Sequence, residues 1–231
     1  MKVVFVGPSL PDAAAIVRAM GAEDIEIRPP AQRGDLRRAL EEGAAAIGLI
    51  DGIFEHVRPV WHKEILLALS RGVPVLGAAS MGALRAVECA PFGMRGVGRI
   101  YEDYRSGRRI DDGDVALQHG PAELGYPPLS VPLVTVDATL ETALQAGAIS
   151  PDEARDWARA ARAIHFKERS WRRIVDMFVG ANTKSMQRIL AHATDPKRQD
   201  ALALLHEINL TQPAVFKRLP DWTLHLLPDS D

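Results

Sequence analysis

The residues Val73-Pro74-Val75-Leu76-Gly77-Ala78-Ala79-Ser80-Met81-Gly82-Ala83-Leu84-Arg85-Ala86-Val87-Glu88 decide how this chain is read. The apolar run that ends at Ser80 predicts a strand buried on both faces, because such strands lose the polar alternation of half-exposed ones. Met81 to Glu88 then predicts a helix. Small residues on both sides of the junction allow a sharp turn. A serine there can present its hydroxyl away from the sheet, near the unpaired amides of Met81 and Gly82 at the helix start. Those amides are candidates for an oxyanion site. The bland alternative is a serine that caps its helix, and Gly-Ala-Ala-Ser-Met-Gly does not by itself decide between the two.

Outward from this stretch the chain repeats the same pattern. Lys2 to Val6, Ile25 to Ile27 and Ala46 to Ile50 predict short strands. Helices are expected from Pro11 to Met20, from Asp35 to Glu42 and from Pro59 to Ser70, each closed by a glycine. Strands alternating with helices of this length predict an α/β fold with a largely parallel sheet. In such sheets ligands bind at the carboxyl edge. Gly7-Pro8-Ser9, Asp51-Gly52 and Ser80 all fall on that edge, which favours a functional Ser80 and makes Ser9 and Asp51 candidate substrate-binding residues.

Pro91 to Gly125 is rich in glycine and reads as polar loops around one short helix, outside the core. Its acidic run, Asp111-Asp112-Gly113-Asp114, lacks calcium-loop spacing and is expected to be a solvated turn in which Asp114 caps the next segment. Val131 to Val136 predicts a further strand and Ala138 to Gln145 a helix. Ser150-Pro151-Asp152-Glu153 is a strong helix start, with a serine cap, proline next and glutamate three residues after the cap. Beyond it Trp157, Ala161, Ile164, Trp171, Ile174, Val175 and Phe178 recur at helical spacing, and two more helices follow. The chain therefore divides at about residue 150, into an α/β domain (1–150) and an all-α C-terminal region (151–231).

Bulk composition excludes several function classes. Of 231 residues 47% are hydrophobic and 25% charged, ordinary for a globular protein, and the net charge of −2 gives no electrostatic reason to bind nucleic acid or an anionic membrane. One cysteine, Cys89, rules out an internal disulfide and reads as a small core residue. With no apolar run of membrane length and no leader pattern, a cytoplasmic protein is expected. Neither a Gly-x-Gly-x-x-Gly loop nor a Walker loop follows the first strand, so a nucleotide there is not expected.

A serine nucleophile needs a base. His62 is the obvious histidine, but nothing in sequence orients it, so it reads as structural or substrate-facing. Lys63 stands in the opening turns of its helix, where the dipole disfavours a cation, and beside Trp61, which can bury it; both effects lower a lysine's pKa. A neutral lysine can take a serine proton. A solvated Lys63 paired with Glu64 or Asp51 is equally compatible with the residues.

The words Val-Phe-Val-Gly-Pro-Ser-Leu-Pro (4–11), Pro-Pro-Ala-Gln-Arg-Gly-Asp-Leu (29–36), Ile-Asp-Gly-Ile-Phe (50–54), Trp-His-Lys-Glu-Ile-Leu (61–66), Gly-Ala-Ala-Ser-Met-Gly-Ala-Leu-Arg-Ala (77–86) and Gly-Val-Gly-Arg-Ile-Tyr (96–101) resemble the TfuA-like family. The resemblance spans about residues 4–120 and fades in the C-terminal helices. It implies action beside a YcaO enzyme, which uses ATP to activate a peptide amide so that sulfur replaces its oxygen. The implied role is to release sulfide from a ThiS-like sulfur carrier ending in a glycine thiocarboxylate, through a Ser-Lys pair, and to help YcaO bind its substrate peptide. Matched by motif, the pair falls on Ser80 and Lys63. Gly113 interrupts what is often a longer acidic run in that family. No metal or organic cofactor is implied. Arg85 and Arg99 are then candidates to hold the acidic tail, with the Phe92 to Tyr104 segment as one wall of its groove. The contrasting expectation is a non-catalytic adaptor that docks carrier and peptide on YcaO while Ser80 only caps.

Overall fold

The computed structural model describes residues 1–53, 58–177 and 183–212; Phe54 and Phe178 lie outside them. Five strands form one sheet: β1 (Lys2–Phe5), β2 (Ile25–Arg28), β3 (Ala46–Leu49), β4 (Val75–Ala78) and β5 (Arg95–Val97). All are parallel, in the order β2-β1-β3-β4-β5, with Phe5 opposite Leu49 and Leu49 opposite Gly77. The expected parallel sheet is therefore present, and its strand order reverses between β1 and β3.

Alternate strand residues feed two separate cores, as a sheet covered on both faces requires. Val3, Phe5, Ile47, Leu49 and Val75 pack under helices α2 (Asp35–Glu41), α3 (His62–Ser70), α4 (Met81–Cys89) and α5 (Arg99–Arg105). Val4, Val6, Ala46, Leu76 and Ala78 pack against α1 (Ala13–Ala19) and α10 (Pro196–Leu210). A third cluster joins α6 (Leu133–Gln145), α7 (Pro151–Arg162), α8 (Trp171–Met177) and α9 (Thr183–Leu190) around the enclosed Trp157. The Ser150 cap forms as expected: its hydroxyl accepts from the Glu153 amide, and the Glu153 carboxylate accepts from the Ser150 amide.

Two expectations fail here. Val131 to Val136 is not a strand, because α6 begins at Leu133 after Pro132. Leu133, Val136, Leu140 and Ala143 lie in the apolar cluster with Trp157, and that packing overrides the strand preference of β-branched residues. The Pro91–Gly125 stretch is not outside the core either. It contributes β5 and α5, whose Ile100, Tyr101 and Tyr104 are buried. A Cβ at Gly96 would overlap the Tyr101 ring, so the strand's glycine exists to let that ring down onto the sheet.

Candidate functional site

The turn out of β4 is tighter than an ordinary strand-to-helix junction. Ala79 has φ 65°, and the Ser80 amide donates to the Ala78 carbonyl at 2.7 Å, closing a three-residue turn. A left-handed alanine costs about 1–2 kcal/mol, and such strain clusters at functional turns. Glycines hold α4 down beside the turn. A Cβ at Gly82 would overlap the Leu49 carbonyl oxygen, and one at Gly77 would overlap the carbonyl oxygen of Gly82. The helix therefore starts in backbone contact with β3. Ser80 is buried, precedes the first helical residue, and yet makes no capping hydrogen bond. Its hydroxyl bonds to nothing among the described residues.

Ser80 borders a cavity of about 270 Å³ at the point where the strand order reverses, the usual ligand position in sheets of this order. Pro8 enters from the end of β1, Asp51 to Ile53 from the end of β3 and Ser80 from β4. Residues from far along the chain close it: Leu117 to His119, Leu129, Phe166 and Lys197. The volume is just below the range of about 300–1,000 Å³ typical of whole small-molecule sites, so it suits the end of a chain.

The rim is braced by Asp51, which is buried. Its carboxylate accepts from the Gly7 and Ser9 amides, each at 2.9 Å, and from the Ser9 hydroxyl at 2.6 Å. These bonds tie the first turn to the end of β3, and they make Ser9 a brace rather than a free ligand.

Lys197 is the one lysine or arginine among the described residues that line this cavity. It is the second residue of α10, after the cap Asp195 and Pro196, and it lies on the helix face that carries the buried Ala201, Leu204, Leu205 and Ile208. Its ammonium is enclosed and donates to the Val115 carbonyl at 2.9 Å. Burial pushes its pKa below that of an ordinary lysine, against the opposing pull of Asp51 and Asp195.

A family model described as TfuA-like protein matches residues 51–170, just over half of the chain. The chain belongs to the TfuA-like family. No curated protein sequence matches it. The matched span holds Asp51, Ser80, His119 and Phe166 of the cavity, but Lys197 falls outside it.

This TfuA-like chain distributes the sequence-predicted residues unequally. Ser80, Asp51 and, through Asp51, Ser9 come together. Lys63 is not among the cavity residues. Its ammonium lies over the Trp61 ring, 4.7 Å from the centroid. The burial against Trp61 that made Lys63 attractive as a base is thus a cation–π contact. Glu64 beside it takes backbone amides, at Gly34 and Trp61. His62 and Arg85 share the Glu88 carboxylate, at 2.8 and 2.7 Å, on the outer side of α3 and α4. Arg99 pairs with Glu141, and no residue of the Phe92 to Tyr104 segment borders the cavity.

The expected oxyanion site also changes. The Gly82 amide donates to the Ile50 carbonyl at 3.1 Å, as its close approach to β3 dictates. It is occupied, which leaves the Met81 amide without an acceptor among the described residues. In the acidic run Asp111, not Asp114, is the cap, accepting from the Gly113 amide, while Asp114 pairs with the half-buried Arg109 at 2.9 Å. Cys89 is buried and its thiol pKa is raised to about 11 by that burial, as an inert core residue requires. Among the described residues no group of three or more metal-ligating side chains gathers, and no helix is long and apolar enough to cross a membrane.

Sequence reasoning missed Lys197 and His119. A signal for Lys197 did exist: a lysine in the first turn of a helix, on the same stripe as its apolar residues.

Proposed function

We propose that this TfuA-like protein is a serine hydrolase that cleaves a thiocarboxylate at the end of a ThiS-like sulfur carrier and supplies sulfide to a YcaO enzyme. The observation that carries the chemistry is the uncapped Ser80 hydroxyl, on a strained turn, sharing a small cavity with the enclosed Lys197. The carrier and the YcaO partner come from the family resemblance, and the cavity's size favours a slender tail over a folded surface.

Lys197 takes the place that motif matching gives to Lys63. In its neutral form it accepts the Ser80 proton as Oγ attacks the carbonyl carbon, and it returns that proton to sulfur as the C–S bond breaks. The acylation balances: a thiocarboxylate and the serine hydroxyl give a serine ester and hydrosulfide. Water then cleaves the ester to a carboxylate, a proton and free serine. The Met81 amide and the lysine ammonium formed during attack stabilise the oxyanion.

The test is a carrier bearing a C-terminal thiocarboxylate, incubated with the protein alone, with sulfide and carrier mass both followed. Release of sulfide with conversion of the tail to a carboxylate, lost in Ser80→Ala, supports the reading. A wild-type protein that binds the carrier but releases no sulfide is an adaptor instead.

A further inference from the structure

Resting on that reading, we propose that His119 is a second proton-transfer residue, the base that activates the water which clears the acyl group from Ser80. Two features fix this imidazole. Its Nδ1 meets the Gly120 carbonyl oxygen at 2.8 Å, and its ring stands edge-on to Tyr126, with centroids 5.5 Å apart. A carbonyl can only accept, so Nδ1 carries the hydrogen and Nε2 keeps its lone pair in the neutral ring. The ring is thus held in the tautomer that can act as a base through Nε2.

The segment carrying it is braced at several points. The Gly120 amide donates to the Pro127 carbonyl at 2.8 Å, and the Gln118 amide to the Ser130 hydroxyl at 2.8 Å. Tyr126, held at φ 55°, approaches the Gly7 turn: a Cβ built on Gly7 would lie 3.4 Å from its Cζ. His119 is therefore tied to the same rim that Asp51 braces.

Position separates the two bases. Both residues line the cavity, but Lys197 is buried whereas His119 is exposed to solvent. Once Ser80 carries an acyl group whose chain leads out through the opening, water reaches the ester from the side where His119 stands. There Nε2 accepts a proton from water as its oxygen bonds to the ester carbon. The imidazolium so formed gives its proton to the Ser80 alkoxide as the ester bond breaks, and the new carboxylic acid releases its proton to solvent, which leaves Lys197 neutral for the next cycle. No redox partner enters either step.

His119→Asn tests this, with the thiocarboxylated carrier as probe and His119→Gln as a second variant that also cannot accept the proton. The expected result is a burst of about one equivalent of sulfide per protein, formed within a few-fold of the wild-type rate. Turnover after the burst should fall by about 100-fold, the lower end for a general base. A covalent carrier adduct on Ser80 should accumulate, visible by intact mass and absent from the Ser80→Ala, His119→Asn double variant. Unchanged turnover in both variants overturns the role, as does equal slowing of burst and turnover without adduct. A wild-type protein that releases no sulfide overturns the hydrolase reading, and the role of His119 with it.

Discussion

The ammonium of Lys197 donates to the main-chain carbonyl of Val115 at 2.9 Å, across 82 positions of sequence and with almost no access to solvent. This bond joins the first turn of α10 to the segment that walls the cavity with Leu117 to His119. It also places a cation where the helix dipole and burial both disfavour it. Enclosing a charge in this way is costly to folding unless it is paired and hydrogen-bonded.

Lys197→Met should therefore separate stability from activity. Removing a disfavoured buried charge with a side chain of similar length should leave the melting temperature equal or higher, while sulfide release falls at least about 100-fold. Lys197→Arg should be inactive as well, because a guanidinium does not give up its proton. In the wild type the neutral form grows as pH rises through a pKa displaced downward from 10.5. Activity should climb with pH over that limb. The same sign applies to folding: the unfavourable charged lysine is present at low pH and is relieved as pH rises. Lys63→Ala should keep most activity, and its loss would return the base to Lys63.

Ser80→Ala should abolish sulfide release with almost no thermal penalty. A capping serine replaced by alanine costs about 1 kcal/mol, but Ser80 makes no capping bond. A clear drop in melting temperature with activity retained would make Ser80 structural after all.

Gly82→Ala should be among the most damaging single changes in the chain. The new methyl group would meet the backbone of Leu49 and Ile50, which no side-chain rotation can relieve. A loss of at least about 3 kcal/mol is expected, in the range of severe core overpacking. Chemical denaturation measures it. A variant of near wild-type stability would show that α4 can lift from β3.

Much of this architecture was legible because it rests on local pattern. The apolar run into Ser80, the small residues around it and the Ser150-Pro151-Asp152-Glu153 start each act over a few residues. What escaped depends on approach between distant segments. Gly82 looks free at a helix start until β3 is seen to press its amide onto Ile50. Lys63 and Lys197 carry the same first-turn signal, and only the fold shows that one lies on an aromatic ring and the other lines the cavity that Ser80 borders. Strand β5, with Gly96 in its middle, has no strand signal, because its glycine serves the Tyr101 ring above it.

Asp200 supplies the last prediction, one that concerns how α10 is fastened. Its carboxylate accepts from the Arg99 amide at 2.9 Å and the Ile100 amide at 2.8 Å, capping α5 from another helix. Gly98, at φ 92°, leaves room for it, since a Cβ there would overlap the carboxylate. Burial pushes the Asp200 pKa up to about 6 from 3.8, more than the two amides pull it down. A carboxyl group with a raised folded pKa favours the fold in its protonated form. Its contribution is complete below the unfolded value and is lost as pH rises through the folded one. Between about pH 4 and 6 the wild type should therefore lose stability relative to Asp200→Asn, which does not titrate. Above that window the difference between the two should stop changing. Urea unfolding of both proteins across the window measures the slope, and parallel curves would mean that Asp200 titrates at an ordinary aspartate value.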